Sequence, residues 1–381
     1  MNADLRVAFV QDALPFLGGA EKVLEAALEV FPAAPIFTLV YNRGAFTDTI
    51  FAHHPIYTSF IDRLPAAHRK HRSYIPLYPY AIEQFDLRGY DVILSFSYAV
   101  AHGVLTRPDQ LHLSLVYTPV RYAWHYYFDY LRDAGLHSGP RAWAAKLILH
   151  YIRLWDRAAA DRVDQFIAIS NWVAQCIWRA YRRPAHVIYP PVEIQKFQPD
   201  LPREEYYLAV SRLTQHKKAD LIVEAFTRLG LPLIVAGDGP EFRRLVKMAA
   251  PNVKFLGRLP DETLRQVYGK AKAFVHAAVE DFGIAPVEAQ AAGCPVIAYG
   301  KGGALETVIP GRTGLFFNEH TVESLVSAVK EFESGKQQYS IVDLQANARR
   351  FSKAQFQHKL AALVAQEWER FSCGGYSHAN R

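Results

Sequence analysis

A chain of 381 residues, half of them hydrophobic, is too long to close around one ordinary core, so two domains of roughly 150 to 200 residues each are expected. Its three cysteines, Cys176, Cys294 and Cys373, show neither disulfide nor zinc-ligand spacing, which excludes a stapled scaffold and favours a reducing compartment, the cytoplasm. The net charge of +6 fits anionic partners, among them nucleotide phosphates, nucleic acid and anionic lipid surfaces, without choosing between them.

Along the first half, Met1 to Asp4 lead straight into the apolar run LRVAFV with no signal-peptide pattern, and nothing approaches the roughly eighteen uninterrupted apolar residues of a spanning helix. A soluble or peripheral protein is expected. RVAFV, PIFTLV, DVILSFS, LHLSLVY and DQFIAIS alternate with amphipathic stretches of helical length, as buried parallel strands alternate with crossover helices. Between them, Arg63 to Ile82 carries Arg63, Arg69, Lys70 and Arg72 with His68, His71 and no acid, either a solvated basic loop or a functional basic patch. The aromatic run at 117–131, YTPVRYAWHYYFDYL, reads either as a wall for stacking on sugars or as a packed segment. The helix that follows interleaves Arg141, Lys146, Arg153 and Arg157 with Trp143, Leu147, Ile148 and Trp155, a pattern for lying on an anionic membrane and equally for covering a domain.

Pro190, Pro191, Pro199 and Pro202 then forbid a continuous helix and mark an extended linker. The boundaries expected are a first domain at 1–190, a hinge at 191–204, a second domain at 205–352, a final helix at 353–371 crossing back to the first domain, and a tail at 372–381. In the second half EYYLAVS, LPLIVAGDG, VKFLG, AKAFVHA, CPVIAYG and TGLFF repeat the strand pattern. The fold class is therefore α/β, two doubly wound Rossmann-like domains facing across a cleft, with ligands expected at the strand ends.

The richest stretch is VEDFGIAPVEAQAAGCPVIAYGKGGALETV, 279–308. A strand runs into a loop carrying Glu280. Pro286 suits the first residue of a helix that places Glu288 in its first turn and that Gly293 stops. Amides near Gly283 and Ile284 would form a positively polarised helix start suited to phosphate, and two carboxylates beside it would accept hydrogen bonds from vicinal hydroxyls. A sugar nucleotide offers both groups. Two lone glutamates are as readily explained by water and a helix terminus, so agreement elsewhere matters. GKGGALETV repeats the strand, glycine turn and helix order, and Arg212 with Lys217 follow the second half's first strand, placed to clamp a diphosphate.

SRLTQHKKADLIVEAF, VAGDGPE and the segment from VKFLGRLPDETL to GRTGLFF resemble the donor half of retaining, GT-B-fold glycosyltransferases of family 4. LGGAEKVLEAAL, VYTPVRYAWHYYFDYL and FIAISNWVAQCIWRAYRRPAHVIYPPVEIQKF extend the likeness over most of the chain, toward enzymes that add mannose or related hexoses to bacterial surface polysaccharides. The resemblance implies that Glu280 holds donor-sugar hydroxyls at the reaction centre, that Glu288 holds the ribose, and that Arg212 and Lys217 hold the diphosphate. It further implies contacts from Phe282, Gly283 and Ile284, from Arg258 near the base, and from Gly18 and Gly19 near the donor phosphate, with Tyr117, Arg121 and Tyr122 toward the sugar or acceptor. Glu306 has no firm role. The implied donor is a nucleotide sugar, GDP-mannose first, and the acceptor a glycan or lipid-linked oligosaccharide in polysaccharide or lipopolysaccharide biosynthesis. No cofactor, metal or nucleic acid is implied, and the setting is the cytoplasm with peripheral contact at the inner membrane.

Two positions depart from the family pattern. Tyr117 stands before TPVRYAW where His is common, and Tyr98 stands where a Ser-His pair is common. A phenol with an ordinary pKa of about 10 is a poor proton acceptor near neutrality, so a histidine-assisted route is not expected. Among rivals, PFLGGAEK lacks the spacing of a dinucleotide fingerprint, which counts against a nicotinamide dehydrogenase. No nucleic-acid module is recognisable, which counts against a non-enzymatic basic binder. A GT-B-fold sugar-nucleotide epimerase is the nearest enzyme alternative.

Overall fold

The computed structural model describes residues 5–374; Met1 to Asp4, and residues 375–381 of the tail read at 372–381, lie outside the described residues. The chain divides into two compact units, of which the second is Pro190–Gln355 and the first is the remainder of the described chain.

The first unit is built on seven parallel strands: β1 (Val7–Gln11), β2 (Ile36–Thr38), β3 (Ile56–Thr58), β4 (Val92–Ser97), β5 (Leu111–Val116), β6 (Gln165–Ala168) and β7 (Ala185–Val187). Their order across the sheet is β3-β2-β1-β4-β5-β6-β7. Every residue of β1, β4 and β5 is buried, which requires helices on both faces and explains why these strands read as continuous apolar runs. β3 and β7 are the two edges, three residues long and partly exposed.

The second unit carries β8 (Tyr207–Val210), β9 (Leu233–Ala236), β10 (Val253–Gly257), β11 (Ala273–His276), β12 (Val296–Tyr299) and β13 (Gly314–Phe317), all parallel, in the order β10-β9-β8-β11-β12-β13. Successive side chains serve opposite faces. Val275 and Ile297 join the cluster with Val223, Phe226 and Leu325, whereas Phe274, Val296 and Ala298 join the one with Leu208, Tyr268 and Ala289.

Segment 191–204, read from sequence as a linker, lies within the second unit. Its residues are tied down there: the Arg203 guanidinium donates to the carbonyls of Gly269 and Ala292, and the Glu204 amide to the Lys270 carbonyl. The final helix, Lys353–Ser372, starts in the second unit and from Phe356 belongs to the first, where Gln357 Nε2 donates to the Ala26 carbonyl at 3.1 Å and to Glu29 Oε2 at 2.9 Å. Among the described residues no helix is long and apolar enough to cross a membrane.

Candidate functional site

In each unit the strand order reverses direction between the first strand and the fourth, and the crevice beyond the carboxyl ends of those two strands is where such sheets bind ligands. In the second unit the reversal falls between β8 and β11. The loop after β8 is held by buried Leu213, whose amide donates to the Asp238 carbonyl at 2.9 Å, and it exposes Arg212 and half-buries Lys217. The loop after β11 carries Glu280. Lys217 Nζ donates to Glu280 Oε1 at 2.5 Å, so cation and carboxylate meet across the reversal point.

Backbone contacts fix the position of that carboxylate. Glu280 bridges to Gly302, and its carbonyl accepts the Gly303 amide at 2.8 Å. A Cβ at Gly303 would lie 2.1 Å from the Phe282 carbonyl oxygen, inside any van der Waals limit, so only glycine lets the turn after β12 sit this close to the Glu280 loop. Phe282 itself is 3% exposed, its ring 5.3 Å from that of Phe351, and only its backbone can serve a ligand. Gly283, at φ +92°, takes the left-handed conformation that caps the helix Ile284–Ala291 without a side-chain acceptor.

That helix begins two residues ahead of Pro286, contrary to the sequence reading. Proline is tolerated at the third helical position because the first turn's amides have no intrahelical acceptor. Glu288 therefore lies beyond the first turn, which removes a mere dipole role, and its carboxylate accepts the Tyr268 hydroxyl at 3.3 Å. Arg258 is exposed just past β10, the sheet edge, on the far side of β9 from β8. Glu306 lies in the short helix Ala304–Thr307, its amide bonded to the Gly303 carbonyl. His276, which the sequence reading missed, ends β11 beneath Glu280; burial lowers its pKa, Glu280 raises it in part, and Lys217 lowers it further.

The first unit fills its own reversal point, between β1 and β4, with Asp12. Its carboxylate accepts the amides of Tyr98, Ala99, Val100 and Ala101 at 2.5 to 2.8 Å, and burial raises its pKa to about 6. A four-amide cradle of the kind that binds anions is thus occupied by the chain's own acid. Gly18 precedes the helix Gly19–Leu28, and its amide is likewise taken, by Glu21 Oε2 at 3.0 Å. Glu21 is 5% exposed, and burial pushes its carboxyl up to about 7. An acid directly after a first strand, and an acid in the first turn after a glycine pair, were the available sequence signals.

Tyr117 donates its hydroxyl to the Ala20 carbonyl at 2.9 Å, and burial raises its pKa well above the ordinary tyrosine value. Arg121 is exposed; the ring of Tyr122 lies 5.6 Å from that of Tyr130, tilted by 41°, and burial raises its pKa as well. Part of the aromatic run is packed, as one of the two readings expects. Tyr122 and Trp124 pack against Val120, Ala123 and Ile152, and Trp124 Nε1 donates to buried Asp156 Oδ2 at 2.7 Å, whereas Phe128 and Tyr130 are exposed.

Residues 192–351 match the family model described as glycosyl transferases group 1. Over 230 residues the chain is 30% identical to a GDP-mannose-dependent alpha-(1-6)-phosphatidylinositol monomannoside mannosyltransferase of Mycobacterium tuberculosis, covering 52% of this chain and 59% of that relative. Over 202 residues it is 30% identical to a GDP-mannose-dependent alpha-mannosyltransferase of Mycolicibacterium smegmatis, covering 49% and 53%. The chain thus spans little more than half the length of these curated relatives. Among solved structures, Anabaena HepE in complex with UDP superposes with a TM-score of 0.68 at 17% identity, over 95% of this chain and 100% of that one. The lipopolysaccharide outer core galactosyltransferase WaaB in its apo form gives 0.68 at 15% identity, with 95% and 100% covered. These likenesses show the fold, a two-domain α/β GT-B architecture.

Proposed function

We propose, from the match of residues 192–351 to the family model of glycosyl transferases group 1, that the chain is a retaining hexosyltransferase that moves mannose from GDP-mannose to a hydroxyl of a glycan or lipid-linked acceptor in polysaccharide or lipopolysaccharide biosynthesis. One observation carries the reading most directly: the Lys217–Glu280 pair at the reversal point of the second sheet. A cation beside a carboxylate and a glycine-capped helix start matches a ligand carrying both diphosphate and hydroxyls. GDP-mannose is preferred over uridine donors because the relatives at 30% identity are named for it.

In this reading Arg212 and Lys217 hold the diphosphate, Glu280 the sugar hydroxyls and Glu288 the ribose. Amides at 282–284 complete the phosphate contacts, Arg258 lies toward the base, and Tyr117, Arg121 and Tyr122 lie on the sugar or acceptor side. Gly19 remains assigned to the donor side, while the Gly18 amide must leave Glu21 before it can serve a phosphate. The acceptor oxygen bonds to the anomeric carbon on the face from which the phosphate departs, and the departing phosphate oxygen takes the acceptor's proton. Raised pKa values at Tyr117 and Tyr122 favour this route, since neither phenol is an effective base near neutrality. The three free thiols, Cys176, Cys294 and Cys373, suit a cytoplasmic enzyme.

A thermal-shift panel of GDP-mannose, UDP-glucose and UDP-galactose, followed by product analysis with a hydroxyl acceptor, tests the assignment. A donor at a hundred times its dissociation constant should add about 2.7 kcal/mol. A glycoside formed only when acceptor is present supports the reading. Conversion of the donor to its epimer without acceptor would instead establish the epimerase alternative.

A further inference from the structure

Ala66, Arg182 and Lys218 take the left-handed backbone conformation although each carries a Cβ. Lys218, at φ +54° and ψ +34°, directly follows Lys217 and so borders the candidate site. It closes the single 3₁₀ turn Gln215–Lys217 and opens the helix Ala219–Leu229, which has no side-chain cap. A residue with a Cβ resists this conformation, so its surroundings must impose it.

Anchors on both sides do so. Upstream, buried Leu213 is held by its amide bond to the Asp238 carbonyl, and a Cβ at Gly239 would overlap the Leu213 carbonyl oxygen, so that loop lies directly against its neighbour. Downstream, Ala219, Ile222, Val223 and Phe226 are buried in one core cluster with Tyr207 and Val235 of β8 and β9. Thr214 to Lys217 must join these two fixed points. A right-handed residue at 218 would fuse the turn and the helix into one continuous spiral and carry Lys217 round with it. The left-handed residue breaks the spiral, and Lys217 Nζ reaches Glu280 Oε1 at 2.5 Å. The Lys218 side chain lines a surface groove with Leu221, His320 and Thr321, so only its backbone bears on the pair. We propose that Lys218 is a positioning residue, and that its left-handed backbone, rather than its charge, aims Lys217 at Glu280. The consequence for turnover rests on the transferase reading; the consequence for the Lys217–Glu280 contact does not.

Four substitutions separate backbone from charge: Lys218→Gly, Lys218→Asn, Lys218→Ala and Lys218→Val. Each removes the ammonium, while tolerance of the left-handed conformation falls from glycine and asparagine to alanine and then to the β-branched valine. With GDP-mannose as donor, and below the melting transition of each variant, the glycine and asparagine forms should keep kcat/KM within about twofold of wild type, whereas valine should lower it by about tenfold or more. Alanine should fall between them. Crystal structures of the glycine and valine variants should show the Lys217–Glu280 hydrogen bond kept in the first and broken in the second. Equal kinetic losses in Lys218→Gly and Lys218→Val would overturn the proposal, because they would report the missing charge. An intact contact in Lys218→Val would overturn it whatever the kinetics. Should the valine variant not fold, Lys218→Ala takes its place, and parity with Lys218→Gly in both kinetics and contact is then the overturning result. A wild-type protein that transfers no hexose would refute the transferase reading alone, and the two crystal structures would still decide the positioning.

Discussion

Lys217 and Glu280 come from loops after two different strands, β8 and β11, and their side chains meet at 2.5 Å where the second sheet reverses direction. Each is about a quarter exposed or less, so the pair is partly shielded from water and its charges are felt locally. In the proposed donor complex a diphosphate would compete with Glu280 for the lysine, while the sugar's hydroxyls would compete for the glutamate. Glu280→Gln should therefore lower kcat by about 10², as loss of an electrostatic stabiliser does, with a smaller effect on KM. Glu288→Gln should act chiefly on KM, because a ribose contact is similar in ground and transition states. Combining Lys217→Ala with Glu280→Gln should cost less than the product of the single losses, because the two share one interaction. Steady-state kinetics on the four variants decide it, and near-wild-type values for Glu280→Gln would remove the central residue from the site.

The glycine at 303 offers a test that leaves every charged group in place. An added methyl would meet the Phe282 carbonyl oxygen at 2.1 Å and must push the 280–282 loop away from β12. Gly303→Ala should therefore lose the Gly303 amide bond to the Glu280 carbonyl and displace the carboxylate from Lys217. A fall of about tenfold or more in kcat/KM is expected, with the far-ultraviolet circular dichroism retained. Wild-type kinetics in this variant would mean that the loop position does not matter to the reaction.

Much of this arrangement was legible because parallel sheets write themselves into sequence. The apolar runs from RVAFV to TGLFF all form strands; those covered on both faces are mainly apolar, with the few buried polar side chains such as Ser95 and His112 hydrogen-bonded to each other. Ile56–Thr58 and Ala185–Val187 escaped notice because edge strands of three partly exposed residues carry no such run. At the site, residue types and loop order pointed to Lys217 and Glu280, but their direct pairing depends on side-chain direction across a separation of 63 positions, which no local pattern encodes. The same limit hid Asp12, whose role is fixed by amides that folding brings to it from 86 positions away, whereas Glu21 caps Gly18 three residues before it and could have been read locally. The 140–159 helix read ambiguously between covering a domain and facing a membrane. Ile148 and Ile152 pack inward, as the domain-covering reading expects, while Leu147 and Leu154 are exposed.

Metal dependence follows from the charge at the site. Among the described residues no three His, Cys, Asp or Glu side chains gather as a metal site, and in the proposed reading Arg212 and Lys217 balance the charge of the diphosphate. Turnover in excess EDTA should stay within about twofold of the untreated enzyme, and Arg212→Ala with Lys217→Ala should abolish it. Complete loss on chelation, restored by magnesium or manganese, would transfer the clamp from these side chains to an ion.

The last prediction uses Glu21, whose carboxyl is pushed by burial from its ordinary 4.5 to about 7, with the bonds from the Gly18 amide and its own amide opposing the rise. Between those values the folded chain holds a proton that the unfolded chain has released. Stability from this group is therefore fully present below about pH 4.5, declines as pH rises to about 7, and is level above that. Glu21→Gln keeps an oxygen to accept the Gly18 amide but has nothing to ionise. Comparing the two proteins isolates the residue, because Asp12, His102, His112 and Asp156 titrate in both. At pH 5 their thermal melts should nearly coincide. At pH 8 the glutamine variant should be the more stable, by at most about 3 kcal/mol at 1.36 kcal/mol per pKa unit. Parallel melts from pH 5 to 8 would show that Glu21 is ionised in the folded protein throughout, and that its carboxylate is held by more positive charge than the Gly18 amide supplies.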